Sequence, residues 1–313
     1  MTEGPAVTVV IPTHNRWPLL TRALAGALGQ QEVRLEVIVV DDASQDGTPD
    51  ELARHRDPRV RCVRLERNRG VAHARNLGIR EARGEWLAFL DDDDQWSPAK
   101  LRLQLAAAQR ARAAFAYGAA VHVDERGTVI AFEPAPEPCE LAPRLLTDTN
   151  PIPAGGSNVL ARTSLVRHVG GFDERLFHLA DWELWIRLVE SGRAVACPEV
   201  LVAYLKHPAN MLTVPGRDIL AEFEYLAAKH HAKAAARGLS FDATGLTRWV
   251  ASGHGGAGRR RQAARAYLRG ALARRSAADA LRAVRVLVSP RAARPRRAAT
   301  TPAVSPPPWL RCE

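Results

Sequence analysis

Cysteine and aromatic residues are scarce in this 313-residue chain. Its four cysteines never stand in a C-x-x-C spacing, which argues against a disulfide framework or a zinc site and favours a reducing cytosol. No apolar run is long enough to span a bilayer, and the first residues enter a strand pattern with no room for a signal peptide. These absences predict a cytoplasmic protein.

Glycine-rich phosphate-binding motifs are also absent. Neither G-x-G-x-x-G nor G-x-x-x-x-G-K-[ST] follows any of the predicted strands, which argues against a dinucleotide dehydrogenase and a P-loop NTPase. The glycine-rich stretch from Gly253 to Gly258 has no strand before it and is expected to be a turn between helices. A phosphate-containing ligand would therefore have to be held by other means.

Four consecutive aspartates, Asp91 to Asp94, directly follow the apolar run Trp86 to Leu90. The run predicts a buried strand, so the carboxylates stand where that strand leaves the core. Adjacent carboxylates repel one another, and a divalent cation with oxygen ligands would remove the repulsion. The alternative is a solvated acidic turn.

Polar residues follow two other aliphatic strands in the same way. Val7 to Ile11 leads into Pro12 to Arg16, and Glu36 to Val40 leads into Asp41 to Ser44. Apolar residues spaced for one helix face lie between these strands, so the pattern predicts a βαβ unit in a parallel sheet. Carboxyl ends of parallel strands share one edge, where open α/β sheets bind ligands. We expect the three polar clusters to meet there.

These segments together resemble the family 2 glycosyltransferases with a GT-A fold. The resemblance is carried by V-T-V-V-I-P-T-H-N-R, E-V-I-V-V-D-D-A-S-Q-D-G-T and the stretch from N-R-G-V-A-H-A-R-N to L-D-D-D-D, and covers about residues 6–205. It implies a hexosyltransferase-like enzyme of cell-surface polysaccharide or glycoconjugate synthesis. Such an enzyme moves a sugar, with inversion, from a nucleotide-diphosphate donor to a hydroxyl acceptor, assisted by Mn²⁺ or Mg²⁺.

The resemblance assigns roles residue by residue. Asp93 is the leading metal ligand, with Asp91 as a second ligand or a sugar contact. Asp42 corresponds to the aspartate that reads the base, and Asp41 is expected to fix its loop. The full nucleotide-sugar set is Pro12, Thr13, Asn15, Asp41, Asp42, Arg75, Asn76, Asp91 and Asp92.

A further carboxylate, Asp181, precedes an apolar stripe with helical spacing at Trp182, Trp185, Ile186 and Val189. From the residues alone, Asp181 is either an ordinary helix cap or a general base at a helix start. The family often has E-D before W-E-L-W at this place, with the aspartate as catalytic base. Here Ala180 stands where that glutamate would be.

Acceptor contacts are expected on two segments that resemble those of the family. One runs from Asn150 to Leu160 and contains Gly156, Ser157 and Asn158, and the other runs from Val169 to Glu174. Trp182 and Glu183, beside the base, are also expected on the acceptor side. The acceptor is expected to be a sugar, a lipid-linked glycan or a small molecule.

The charge predicts a distinct C-terminal region. Residues 259–297 carry thirteen arginines and one aspartate in a chain of net charge +10, which leaves residues 1–258 at −2. We predict a GT-A-like domain over 1–215, with its nucleotide half at about 1–100 and acceptor half at about 101–215. A basic helical appendage over 216–289 and a disordered tail over 290–313 follow.

The basic region has alternative interpretations. Leu268, Leu272, Leu281 and Val284 suggest two amphipathic helices with Ser276 as a cap between them. Such helices can contact the anionic inner face of a membrane, or they can pack on the catalytic domain. Nucleic-acid binding is not expected, because aromatic residues are sparse there.

Two other functions remain open from the sequence. A nucleotidyltransferase could use a similar sheet, although the segment after the first strand lacks the glycines usual in that class. A non-catalytic nucleotide-sugar binder would be expected to lose the acidic run or Asp181, and both are present.

Overall fold

The computed structural model describes residues 4–207, 218–256, 258–274, 276–288 and 306–310. The chain divides into two compact units. The first contains the described residues of Met1–Ala142, Asn150–Lys206 and Ser305–Glu313, and the second those of Pro143–Thr149 and His207–Val304. The predicted boundaries at 215 and 289 lie outside the described residues.

A nine-stranded sheet forms the first unit within the described residues. Its strands are β1 (Val7–Thr13), β2 (Leu35–Asp41), β3 (Val60–Arg64), β4 (Trp86–Phe89), β5 (Gln95–Trp96), β6 (Phe115–Val123), β7 (Val129–Glu133), β8 (Leu160–Arg162) and β9 (Ala194–Leu205). The order is β3-β2-β1-β4-β8-β6-β9-β5, and β7 pairs with β6.

The sheet is mixed in direction. Strands β3, β2, β1 and β4 are parallel, as the aliphatic runs and the βαβ pattern predict. Strand β8 then pairs antiparallel with both β4 and β6, whereas β9 is parallel to β6. Strands β1 to β4 of the predicted nucleotide half are therefore parallel, whereas the acceptor half is mixed.

Seven helices accompany these strands in residues 4–207. They are α1 (Trp17–Leu28), α2 (Thr48–Arg54), α3 (Val71–Glu81), α4 (Lys100–Ala111), α5 (Pro138–Leu145), α6 (Thr163–His168) and α7 (Ala180–Ser191). Leu20, Ala23, Leu24 and Ala27 of α1 are buried against the sheet, as the helical spacing predicts. The stretch 132–143, which reads as a proline-rich connector, holds the end of β7 and the start of α5.

The second unit is helical. It contains α8 (Ile219–Ala235), α9 (Thr244–Gly256), α10 (Arg260–Arg274) and α11 (Ala277–Val288). The two predicted amphipathic helices are α10 and α11, and Ser276 Oγ accepts a hydrogen bond from Asp279 N at 3.3 Å. The turn expected from Gly253 begins later, because α9 continues to Gly256.

A short C-terminal segment belongs to the first unit and differs from the tail prediction. Pro308–Leu310 forms a 3₁₀ turn, and Leu310 is buried in a cluster with Val121, Val123, Ala203 and Leu205. Trp309 packs against the same cluster. Residues 306–310 are thus packed on the sheet, and the rest of the predicted tail lies outside the described residues.

Candidate active site

Polar residues from three parallel strands meet at the carboxyl edge of the sheet, as predicted. Thr13 Oγ1, at the end of β1, donates to Asp92 Oδ2 at 2.7 Å although 79 residues separate them. Asp42 N donates to Thr13 O at 2.9 Å, which ties the ends of β1 and β2 together. The fold thus gathers these clusters at one edge of the sheet.

Each aspartate of the acidic run has its own partners. Asp91 forms an ion pair with Arg75 of α3. Asp94 Oδ2 accepts from Ser157 Oγ at 2.5 Å, and its Oδ1 accepts from Leu205 N at 3.2 Å. The run is therefore a set of fixed carboxyl groups and not a solvated acidic turn.

Arg16 holds the middle of the run. Its Nη1 lies 3.2 Å from Asp92 Oδ1 and 3.0 Å from Asp93 Oδ2. The sequence analysis gave Arg16 no role. The only signal for it is an arginine at the exit of β1 in a site that gathers acidic residues.

Burial changes the acid–base properties of the run. It raises the pKa of Asp92 to about 7, although the positive charge of Arg16 opposes this shift. Burial, with the nearby charges of Asp93 and Asp91, also raises the pKa of Asp94 well above its usual value. A proton or a bound cation would therefore relieve the buried negative charge.

The donor set of the run fits a divalent cation that takes only part of its ligands from the protein. Oxygens of Asp92 and Asp93 already converge on one cationic nitrogen of Arg16. In the part of the chain that the structure describes, no three histidine, cysteine or acidic side chains are grouped as ligands for a metal ion. One or two carboxylates completed by phosphate oxygens and water is the usual protein site for Mg²⁺.

Asp42 and Asn15 shape the loops beside the crevice. Both oxygens of the Asp42 carboxylate accept backbone N–H groups, from Arg69 at 2.7 Å and from Gly70 at 2.8 Å. Asn15 has a left-handed φ of 56° and its Oδ1 accepts from Gln45 N at 2.6 Å. These residues therefore position the loops, and the nucleotide contacts expected of them stay predictions.

Asp41 and Pro12 are more deeply placed. Asp41 Oδ1 accepts from Ser44 N at 2.9 Å, a hydrogen bond within the loop that Asp41 is expected to fix. Its Oδ2 has no hydrogen bond but lies 3.5 Å from Arg64 Nε. Pro12 is buried within β1 opposite Val40. The direct nucleotide contact expected of Pro12 also stays a prediction.

Asn76 of α3 holds a neighbouring loop. Its Oδ1 accepts from Phe172 N at 2.8 Å, and its Nδ2 donates to Phe172 O at 2.9 Å and Glu174 Oε1 at 3.0 Å. The amide of Asn76 is thus occupied by residues 172–174. The structure gives it a loop-fixing position, and the donor contact predicted for it is not tested.

Asp181 lies in the first turn of α7, as the apolar stripe predicts. Its Oδ1 accepts from Trp182 N at 2.7 Å, and its Oδ2 lies 3.5 Å from Asn150 Nδ2. Burial raises the pKa of Asp181, which the charge of Arg75 opposes and that of Asp91 reinforces. These electrostatic neighbours put Asp181 at the same edge as the acidic run.

The turn Gly155–Asn158 lies between these groups. Ser157 Oγ also accepts from Asp91 N at 3.0 Å. Asn158 is buried, and its side chain exchanges hydrogen bonds with Gly118 N and O at 2.8 and 2.7 Å. Gly156 contacts Arg75 so closely that a Cβ built on it would lie 2.8 Å from Arg75 Nη2. These contacts support the acidic run, and the acceptor role expected of this turn is not tested.

Trp182 and Glu183, expected beside an acceptor, are both buried. Trp182 is 3% exposed, and Glu183 is fully buried in an ion pair with Arg187 at 2.5 Å. Arg187 also donates to the carbonyls of Val169 and Gly171, so this pair fixes the loop before Phe172. The structure thus places both residues in the interior, and the acceptor contacts expected of them stay predictions.

The sequence analysis missed polar residues on β6, β7 and β9. The Tyr204 ring lies 5.3 Å from the His122 ring and 4.4 Å below Lys206 Nζ. His122 Nε2 is paired with Glu133 Oε1 at 3.2 Å. Burial, with the nearby charges of Asp94 and Asp93, raises the pKa of Tyr204 well above its usual value. The tyrosine therefore lines the acidic edge, which no sequence motif indicated.

The mixed sheet flanked by helices, with its acidic edge, is a GT-A-like fold. Residues 8–169 match the description of glycosyl transferase family 2, about half of the chain. The protein therefore belongs to glycosyl transferase family 2. The structure of S. aureus TarS 1–349 in complex with UDP-GlcNAc is similar in fold, with a TM-score of 0.59 at 18% identity over 85% of this chain and 72% of the TarS 1–349 chain.

Two curated relatives illustrate the extent of the similarity. The succinoglycan biosynthesis protein ExoO of Rhizobium meliloti (strain 1021) is 47% identical over 125 residues, which are 40% of this chain and 34% of ExoO. The Escherichia coli protein WfgD, a UDP-Glc:alpha-D-GlcNAc-diphosphoundecaprenol beta-1,3-glucosyltransferase, is 26% identical over 70% of this chain and 85% of WfgD. The chain spans only a third to a half of the first relatives matched.

None of the helices in the described residues combines the length and the apolar character that crossing a membrane would require.

Proposed function

We propose that this protein is an inverting glycosyltransferase that moves a sugar from a nucleotide-diphosphate donor to a hydroxyl acceptor, with Asp181 as the general base. One observation carries the proposal. Asp91 of the acidic run pairs with Arg75, and Arg75 and Asp181 pack beside the adjacent glycines Gly156 and Gly155, although the carboxylates come from opposite halves of the sequence. A base on one side and a diphosphate-binding edge on the other are what a single displacement requires.

The base acts on the acceptor hydroxyl. Asp181 is held by Trp182 N, which leaves oxygen lone pairs free to take a proton as the new glycosidic bond forms. Its raised pKa brings it closer to neutral pH, where a general base is most effective, and it accepts a proton only in its ionised form. No carboxylate nucleophile is needed, because one displacement inverts the anomeric carbon.

The leaving nucleotide diphosphate gains negative charge as its bond to the sugar breaks. Asp93, with Asp91 or Asp92, would hold the Mn²⁺ or Mg²⁺ ion. When bound, such an ion supplies charge neutralisation at the phosphate oxygens. Arg16 already balances Asp92 and Asp93 and keeps their carboxylates in place.

A UDP-sugar is the donor we propose to test first. WfgD is named for UDP-Glc, and TarS has been solved with UDP-GlcNAc and with UDP. Thr13, Asp42 and the loop held by Asn15 border the part of the crevice where the nucleoside would lie. WfgD is also named for a diphosphoundecaprenol acceptor, so a lipid-linked glycan is the acceptor class we propose.

The helical unit is proposed to bring the enzyme to an anionic membrane surface. In α10 and α11, Leu272 is 81% exposed and Leu281 is 60% exposed. Leu268, Val284 and Val288 are exposed on the same two helices, and arginines alternate with them. An apolar helix face flanked by arginines suits the interface of anionic lipid headgroups.

The proposal is tested by thermal-shift screening of UDP-, GDP- and TDP-sugars with Mn²⁺, followed by transfer assays with the nucleotide that binds. A ligand that binds only the native state raises the melting temperature. We expect stabilisation by one nucleotide class and transfer to a hydroxyl acceptor with inverted anomeric configuration. A product with retained configuration, or nucleotide transfer in place of sugar transfer, would overturn the proposal.

A further inference from the structure

Arg75 is fixed in the crevice from several sides. Its side chain is buried, its guanidinium lies 5.1 Å from the centre of the Phe172 ring, and it forms the ion pair with Asp91. Phe172 is itself held, because Asn76 bonds both its N and O and its ring meets Phe89 edge-on at 5.0 Å. The guanidinium therefore has little freedom to move toward a ligand.

Two consecutive glycines separate Arg75 from Asp181. A Cβ at Gly156 would lie 2.8 Å from Arg75 Nη2, and a Cβ at Gly155 would overlap Asp181 Oδ2. Adjacent Cα atoms are about 3.8 Å apart. Arg75 and Asp181 therefore pack against two adjacent residues that have no side chains. Any side chain at these positions would have to displace one of the two groups.

The charges near Asp181 shift its pKa in opposite directions. Burial and the negative charge of Asp91 raise its pKa, and the positive charge of Arg75 lowers it. Asn150 Nδ2, at 3.5 Å, is neutral, and Tyr204 faces the same group of carboxylates. The positive charge of Arg75 therefore favours the ionised form of the base.

We propose that Arg75 is a positioning residue for Asp181, seated by the bare backbone of Gly156, and that it acts on the chemical step. This inference rests on the proposed function. It gives the two glycines a role as well, because they let a cation and a base approach the same segment without intervening side chains.

A double-mutant cycle tests this inference in the full-length protein with the donor found by screening. The variants are Gly156→Ala, Arg75→Met and the two combined. Gly156 does not have a positive φ, so alanine there changes occupied space and not backbone strain. Gly47→Ala is the control, because Gly47 has a φ of −68° and no atom within 4 Å of an added Cβ.

We expect Gly156→Ala to lower kcat about tenfold or more and to change the donor KM less than threefold, as misplacement of catalytic groups does. In the Arg75→Met background the same alanine should change kcat less than twofold, because its clash partner is gone. Gly47→Ala should match the wild type. Additive effects in the cycle, or a raised donor KM with unchanged kcat, would overturn the inference.

The pH dependence of kcat supplies a second measurement that does not depend on Gly156→Ala folding. Loss of the Arg75 charge should raise the pKa of Asp181, so the acid limb should move to higher pH in Arg75→Met. Arg75→Lys should restore most of its position. An unmoved limb in Arg75→Met would contradict the inference, whereas a wild-type enzyme without any transfer would instead contradict the proposed function.

Discussion

The carboxyl edge of the sheet in the first unit buries charged side chains, whereas helices α10 and α11 of the second unit expose apolar ones. At the edge, carboxyl groups such as Asp92 and Asp94 are buried and tied to fixed donors. On α10 and α11, leucines such as Leu272 and Leu281 are exposed. Both arrangements cost free energy in an isolated protein, because buried charge and exposed apolar surface are unfavourable. Each is therefore the place where we expect a partner, a charged ligand at the edge and a lipid surface at the helices.

The largest effect should come from removing the metal ligand proposed at the edge. Asp93→Ala should abolish transfer, because the leaving diphosphate loses its charge neutralisation. Chelation of the intact enzyme should do the same, measured as product formed from the UDP-sugar. Nucleotide binding should survive in part, since Asp42 lies at a separate strand end. Full activity in excess chelator would show that transfer does not depend on a metal ion at the acidic run.

Loss of the buried ion pair between Glu183 and Arg187 should lower the free energy of unfolding. Glu183→Gln leaves the Arg187 cation without its counter-charge, and breaking a buried pair costs about 3–5 kcal/mol. Chemical denaturation measures the change. Glu51→Gln is the matched control, because Glu51 forms an exposed helical pair with Arg54, worth roughly 0.5 kcal/mol or less. Equal costs for the two variants would mean that burial of the Glu183 pair has no consequence.

Truncation of one leucine in each unit compares a buried apolar side chain with an exposed one. Leu310→Ala removes a side chain buried against Val121 and Leu205, and should cost about 2–4 kcal/mol of unfolding free energy. The control Leu272→Ala removes an exposed leucine and should cost roughly 0.5 kcal/mol or less. No loss of stability in Leu310→Ala would restore the interpretation of the C-terminal segment as an unpacked tail.

The smallest effect concerns the membrane. Leu272→Ser combined with Leu281→Ser should leave stability and transfer to a water-soluble acceptor unchanged. Sedimentation with anionic vesicles should weaken several-fold, because exposed apolar area that enters the interface is lost. Added salt should weaken binding further, since each arginine near the surface contributes about 1 kcal/mol. Ile130→Ser, an exposed apolar change in the first unit, is the control.

Vesicle binding that the serine pair leaves unchanged would remove the membrane proposal. If the wild type aggregates and the double serine variant does not, the exposed apolar face of α10 and α11 binds another copy of the chain instead.

The sequence was informative where a local pattern decides the structure. Aliphatic runs such as Val7 to Ile11 predicted the parallel strands, and the family 2 resemblance and its GT-A-like fold are confirmed. The apolar spacing at Trp182 and Trp185 predicted α7 and put Asp181 in its first turn. Convergence of Thr13 with the acidic run followed from the rule for parallel strands.

Features that depend on long-range packing could not be predicted. Arg16 meets Asp92 and Asp93 only because β1 and β4 are neighbours, and many other arginines had the same local pattern. The docking of Trp309 and Leu310 rests on two apolar residues in a proline-rich stretch, too few for a periodic signal. The same limit applies to Glu183, whose partner Arg187 could equally have lain on a solvated helix face.

The proposal that Asp181 is the base is tested most directly by Asp181→Asn, measured for donor binding and single-turnover sugar transfer. Asn keeps the size of the side chain and can still accept from Trp182 N, but it cannot take the acceptor's proton. Asp50→Asn, in the first turn of α2, controls for loss of charge at a helix start. We predict unchanged donor affinity and a transfer rate lower by roughly a hundredfold or more in Asp181→Asn alone. A near-normal transfer rate would contradict the account, because Asp181 would then only stabilise the start of α7.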